Sequence, residues 1–371
     1  MCAMVSPVAD PERIRLLLAS EMNWDLLLEL AGEHGVQGIL ANRLEEAGFG
    51  GVPEKVREKL QARIRAQHLF TLSMTAELFR ILQDFSKAPR IEIILVKGPV
   101  ISLLAYGDPA VRSYVDLDLL VRDRDIRGAM ERMLALGFDA RVPISAVRAG
   151  RIPGEYLFKR PGTQRMVELH TERTFRYYPK AMKLEDLFAR KRQVLLDGRE
   201  VPGLSLEDEL VLICIHGAKH FWERLMWVSD VAAVVARHPE IDWRKAQAAA
   251  ADVGAERMLR LGIILGASLL GVKPPVAIAE NAQRDRTSER LCRQTLNWLP
   301  YAGYAPPSLR GRAMYRIRMA GGGVRGAAYL TRLSLSPTEE DWEEGAEERR
   351  SWLWDAVRRP FRLLKKYGSG E

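Results

Sequence analysis

The feature that most constrains this chain is a pair of carboxylates set into an apolar run, Val115-Asp116-Leu117-Asp118-Leu119-Leu120-Val121. The run reads as a strand. Side chains alternate faces along a strand, so Asp116 and Asp118 project the same way. The apolar neighbours imply burial, and a buried carboxylate is costly unless it is paired, hydrogen-bonded or metal-bound. Two on one face also repel each other, and a divalent cation removes that repulsion. Oxygen ligands in this arrangement favour magnesium or manganese over zinc. The competing reading is a half-exposed edge strand bearing two solvated acids.

The neighbouring segments favour the site. About twenty residues earlier stands Leu95-Val96-Lys97-Gly98-Pro99, where a strand enters Gly98 and a helix leaves it. Glycine allows backbone to approach a ligand, and a helix N-terminus attracts phosphate. Lys97 adds positive charge. Arg112, four residues before Asp116, either reaches a triphosphate or lies in a solvated turn. A third acid, Glu168, sits in the short apolar strand Met166-Val167-Glu168-Leu169-His170 and completes a carboxylate set if that strand lies beside the first. His170 shares its face, as a structural histidine or as a substrate or metal contact.

The rest of the chain surrounds this unit with helices. Asp10-Pro11-Glu12 reads as a helix start, with Pro in the first turn. Trp24 to Ala31 and Gln67 to Phe85 carry helical patterns. Ile91 to Val96, Tyr114 to Val121, Phe138 to Val142, Glu155 to Arg160 and Arg165 to Thr171 read as strands, and Pro99 to Tyr106 and Asp125 to Leu136 as helices. From Ser205, whose spacing to Asp208 resembles a capping box, helices are expected over Leu206 to Gly217, His220 to His238, Trp243 to Asp252 and Glu256 to Leu270. A looser basic stretch with Gly321-Gly322-Gly323 follows Pro274-Pro275. Glu347 to Lys366 then reads as a Trp-containing amphipathic helix split by Pro360. The fold class expected is α+β: a small mixed-sheet core over residues 88–203, an N-terminal helical segment over 1–87 and a C-terminal helical domain over 204–371.

Composition excludes several classes. The chain of 371 residues is 47% hydrophobic and 28% charged, with a net charge of +8. That modest basic excess suits a phosphate-bearing partner, or is a solvated arginine-rich surface. Cys2, Cys214 and Cys292 form no CxxC pair, which argues against a zinc site or a disulfide framework and suits a reducing, cytoplasmic setting. No signal peptide and no membrane span are expected.

Taken together, Lys97-Gly98, Arg112, Asp116-x-Asp118 and Glu168-x-His170 resemble the DNA polymerase β-type nucleotidyltransferase superfamily. They resemble more closely its uncharacterised bacterial nucleotidyltransferase family, in which Lys-Gly replaces the usual Gly-Ser turn. His216 to Leu225 with Trp227 and Asp230, then Pro337-Thr338, Asp341 and Arg359-Pro360, also look like that family. One departure from the superfamily is Pro99 in place of the serine: it has neither N–H nor hydroxyl, so phosphate binding must lean on Lys97 or later groups.

The resemblance implies metal ions held by Asp116, Asp118 and Glu168, an NTP as donor, and transfer of NMP to an acceptor with pyrophosphate released. The acceptor is left open among peptide or protein, RNA and small molecule. Two alternatives stand beside it: kinase-like phosphoryl transfer at the same metal site, or a catalytically silent binding protein of a peptide-maturation or toxin–antitoxin system. One further stripe is expected if the helix is continuous, with His216, His220, Glu223, Trp227 and Asp230 on one face. There Lys219 and His220 are candidate phosphate contacts and Trp227 a candidate base-stacking ring, or the stripe is an interdomain polar network. A zinc site there lacks an evident third ligand. The basic-aromatic C-terminal stretch, with Trp352 and Arg358, either binds a partner or packs back on its domain.

Overall fold

The computed structural model of the chain describes residues 1–148, 154–171, 179–180, 183–299 and 307–335. Seven strands, among the described residues, form one mixed sheet: β1 (Ile93–Val96), β2 (Asp116–Val121), β3 (Asp139–Ala140), β4 (Glu155–Lys159), β5 (Met166–His170), β6 (Arg192–Leu196) and β7 (Arg199–Gly203). Their order is β3-β4-β5-β2-β1-β7-β6. The centre is therefore the two acid-bearing strands with β1 beside them. β1 and β2 are antiparallel, and Val96 stands opposite Asp118. β2 and β5 run parallel, and Asp118 stands opposite Glu168. Central strands buried on both faces read as nearly unbroken apolar runs, which is how β1 (Ile-Ile-Leu-Val) reads.

All five predicted strands shorten, by one or two residues at Ile93–Val96, Glu155–Lys159 and Met166–His170. Tyr114 to Val121 begins only at Asp116, and Phe138 to Val142 contracts to Asp139–Ala140. Tyr114 and Phe138 are buried in the core, so both aromatic rings mark packing rather than ladder pairing.

The N-terminal segment is helical, as the pattern implies. Pro11–Leu18 starts where Asp10 accepts from the Glu12 N–H at 3.0 Å. The stretch from Gln67 is the second half of one long helix, Glu54–Phe85.

After β7 come Leu206–Lys219, capped by Ser205 on the Asp208 N–H, then Leu225–Arg237, Trp243–Asp252 and Glu256–Leu270. The helix expected from His220 to His238 starts five residues late. Phe221 and Trp222 have φ of 57° and 56°, which no right-handed helix allows. The compensation is burial: the Trp222 ring lies fully buried against Gly217 and Gly262, where any Cβ would come within 2.8 Å of it.

Beyond Pro275 the looser stretch is largely helical too: Val276–Arg284, Arg286–Trp298, Leu309–Met319 and Gly323–Leu335. The helix Arg286–Trp298 buries Ser288, Leu291, Cys292 and Thr295. That is a helical stripe in which small polar residues hide the apolar period. Asp285 and Ser308 cap the two helices that follow them. One apolar cluster runs from Met4 to Met319 and joins the N-terminal helices, the sheet and the C-terminal helices, with a small cluster of Ala320, Tyr329 and Leu333 beside it. The helix expected over Glu347 to Lys366, with Pro337-Thr338, Asp341 and Arg359-Pro360, lies outside the described residues. No helix among the described residues is long and apolar enough to cross a membrane.

Candidate active site

The parallel pairing of β2 with β5 decides the geometry. Because Asp118 and Glu168 are register partners and Asp116 and His170 lie two residues away on the same face, all four converge on one side of the sheet. Asp118, Glu168 and His170 each offer a ligand atom within 4.8 Å of the others. Asp116 lies outside that trio. The trio thus contains His170 where the sequence pattern placed Asp116.

Asp118 is 4% exposed and receives two cations. Lys97 Nζ donates to its Oδ1 at 2.8 Å, and His170 Nε2 lies 2.7 Å from the same oxygen. Burial pushes the Asp118 carboxyl up, but Lys97 and His170 outweigh it and hold it well below the usual carboxylate range. Burial pushes the other way on His170, where hydrogen bonds to Asp118 and Glu168 prevail and lift it to about 9. Asp116 is pushed up to about 7, by burial and then by the charges of Asp118 and Glu168. Like-charge crowding of this kind favours either a proton or a metal cation.

The turn before Gly98 is strained as well as close. Lys97 has φ 53° and ψ −145°, a region that costs a non-glycine residue about 1–3 kcal/mol. Its N–H donates to Glu209 Oε1 at 3.2 Å, so the helix Leu206–Lys219 holds the turn from outside the sheet. Glu209 is buried, its other oxygen has no hydrogen-bond partner, and burial pushes its carboxyl up to about 7. No local pattern marks this role, because Glu209 reads as an ordinary acid in a helix first turn. The helix start itself offers little to an anion. Pro99 has no N–H, and the Val100 and Ile101 N–H groups turn back to the Lys97 carbonyl.

Arg112 is neither solvated nor loose. It is 6% exposed, and its Nε donates to Asp230 Oδ2 at 2.7 Å, while the Tyr106 hydroxyl donates to Asp230 Oδ1 at 3.0 Å. Asp230 was legible as part of a polar stripe, but its partnership with a residue 118 positions away was not.

These groups line a cavity of about 550 Å³. One wall carries Lys97, Asp116, Asp118, Glu168 and His170. The facing wall comes from both flanking helical segments, with Arg63, His216, Lys219, Arg224, Met226 and Trp227. The break at residues 220–224 means that His216, His220 and Trp227 meet by folding back rather than along one continuous helix. His220 stacks on Trp227 with centroids 4.8 Å apart, and His216 meets the same ring edge-on at 5.8 Å. Burial and then the Lys219 charge bring His220 down to about 3, so it is neutral. Lys219 faces the cavity, whereas His220 backs Trp227 and is not among the lining residues.

The family model described as "Uncharacterised nucleotidyltransferase" matches residues 20–271, more than half of the chain. Among solved structures, an antigenic nucleotidyltransferase-like protein from Paracoccidioides brasiliensis is similar at 16% identity and a TM-score of 0.32. That match covers 58% of this chain and 96% of that one. No curated protein matches the chain.

Proposed function

The chain belongs to the uncharacterised nucleotidyltransferase family, and from that premise we propose a metal-dependent transferase that moves a nucleoside monophosphate from an NTP to an acceptor and releases pyrophosphate. The observation that carries this reading is the convergence of Asp118, Glu168 and His170 within 4.8 Å beside Lys97 in the cavity wall. Two carboxylates and an imidazole are a donor set suited to a divalent cation, and the raised Asp116 carboxyl marks a surplus of negative charge that such a cation relieves. The residues therefore fit a metal, held by Asp118 and Glu168 with Asp116 or His170. Magnesium or manganese, when bound, supplies charge neutralisation for the triphosphate and acidifies the acceptor hydroxyl.

The chain's own groups do the rest. Lys97, relieved of Asp118, turns its ammonium to a phosphate oxygen. Arg112, fixed by Asp230, holds its guanidinium N–H donors in the cavity wall, and Lys219 adds a positive charge to the same cavity. A half-buried Glu168 takes the acceptor proton at a carboxylate oxygen. Trp227, already stacked on neutral His220, offers an aromatic wall to a base. Positioning and fixed charge provide most of the acceleration in such a site.

Isothermal titration of the four NTPs, with and without magnesium, tests this on wild type and Asp118→Ala. The expected result is magnesium-dependent binding of at least one NTP that the variant loses, and pyrophosphate as product once an acceptor is supplied. Undiminished binding by Asp118→Ala would overturn the site, and ADP in place of pyrophosphate would convert the reading to phosphoryl transfer.

A further inference from the structure

The helices Leu309–Met319 and Gly323–Leu335 pack against each other beyond the residues that the family model matches. Residues 307–335 hold Arg310, Arg312, Arg316, Arg318, Arg325 and Arg332 and no acid at all, so this short stretch supplies six of the chain's net +8. Helices usually intersperse acids that pair with their cations at i,i+4; Arg312 and Arg316 instead repel each other at that spacing. Such repulsion is relieved when an anion binds.

Four of these arginines fall into two groups. Arg325 and Arg332 lie seven residues apart, beside the buried stripe of Gly326, Tyr329 and Leu333. They face a second cavity of about 580 Å³, which shares no lining residue with the first. Lys180, Arg257 and Arg260 line it from the other side, against Glu256. Arg257 and Arg260 both bind the single carboxylate of Asp285, at 3.1 and 2.7 Å, so one acid serves two guanidinium groups.

Arg312 and Arg316 turn elsewhere, over the ring of Phe221 at 5.2 and 4.9 Å. Phe221 follows His220, which stacks on Trp227 in the wall of the first cavity. Arg312 and Arg316 thus lie at Phe221, close to the first cavity, on the helix whose last residue, Met319, lines the second. A small anion fills one pocket; a series of separated cations matches an extended polyanion.

The geometry points to this basic strip as a binding surface for the sugar–phosphate backbone of a nucleic acid, and hence to a nucleic-acid hydroxyl as the acceptor. The binding surface stands on its own; the acceptor assignment rests on the transferase reading above.

The test is fluorescence anisotropy of labelled RNA and DNA oligonucleotides of about 20 nucleotides with the full chain and no NTP, at salt from about 50 to about 200 mM. Binding is expected to weaken steeply with salt. Arg325→Ala with Arg332→Ala should weaken it roughly tenfold and flatten the log–log salt slope by about 0.7 for each lost phosphate contact, while Arg325→Lys with Arg332→Lys retains most of it. Arg325→Glu alone, at an exposed position, gives the same reading without touching half-buried Arg332. The assay contains no NTP, so failure of the transferase reading leaves this result intact. Absence of binding at the lowest salt, or binding unchanged in a folded Arg325→Glu variant, would overturn the surface. Equal affinity for RNA and DNA assigns recognition to the shared backbone, and preference for RNA adds its 2′-hydroxyl.

Discussion

At the scale of single residues, Asp118 is the hub. Lys97 and His170 both meet one of its oxygens, and the electrostatic consequence has a definite sign. His170 is held at about 9, above its ordinary 6.5. The stability it contributes is fully present below that ordinary value and is lost as pH rises through about 9. Asp116, raised to about 7, acts in the same direction, because its ionisation becomes costly as pH rises from its ordinary value through about 7. Metal-free protein is therefore expected to lose stability from about pH 6 to pH 9, with a smaller loss in magnesium or in Asp116→Asn; thermal melts across that range check it. Arg112 and Asp230 give a separate prediction. Asp230 is 1% exposed and its partner 6%, so Asp230→Ala leaves a buried guanidinium unpaired and should cost about 3–5 kcal/mol in urea unfolding. Loss of only a few tenths would mean that the pair is not buried in solution. The acids of the site were legible because a carboxylate inside an apolar strand is conspicuous. Asp230 as the partner of Arg112 was not, since no local pattern links residues so far apart.

Among the elements, two junctions set the site. The first is the strand–helix turn at Lys97-Gly98, whose strained residue is held by Glu209. Glu209→Gln keeps an acceptor for the Lys97 N–H and should preserve NTP affinity. Under the proposed function, Glu209→Ala releases the turn and should weaken magnesium-dependent NTP binding, as calorimetry would show. The second is the break between Leu206–Lys219 and Leu225–Arg237. A Cβ at Gly217 would sit 2.5 Å from the Trp222 ring, so Gly217→Ala should destabilise by about 1–3 kcal/mol through overpacking. Tryptophan fluorescence during unfolding would report it, and an unchanged midpoint would mean that the ring can retreat. Helical periodicity placed the break at residues 218–219 and started the second helix at His220, five residues too early. Periodicity records which residues are apolar, not that one buried indole outweighs several helical hydrogen bonds.

For the whole molecule, the cavity wall is shared: Arg63 comes from the N-terminal helices, Asp118 and Glu168 from the sheet, Lys219 and Trp227 from the C-terminal helices. One apolar cluster joins all three. A chain cut after Gly203 should therefore fail to fold, whereas the expected divisions at 87 and 203 would allow it; circular dichroism of the truncated chain decides between them. Saturating magnesium and NTP should raise the melting temperature of the intact chain, since binding to the native state alone adds stability by mass action. The sequence by itself determined the α+β alternation, the apolar strands, the same-face placement of Asp116 with Asp118 and of Glu168 with His170, and the turn at Gly98, because each follows from the period of one element. Only the tertiary structure decided that β5 lies parallel beside β2 in the register that joins Asp118 to Glu168. It likewise decided that Lys97 and His170 neutralise that carboxylate, that Glu209 and Asp230 brace the turn and the arginine, and that the acid-free helices form a basic strip. Those outcomes depend on contacts between residues distant in sequence, where burial and charge pairing are settled by the whole fold rather than by any local pattern.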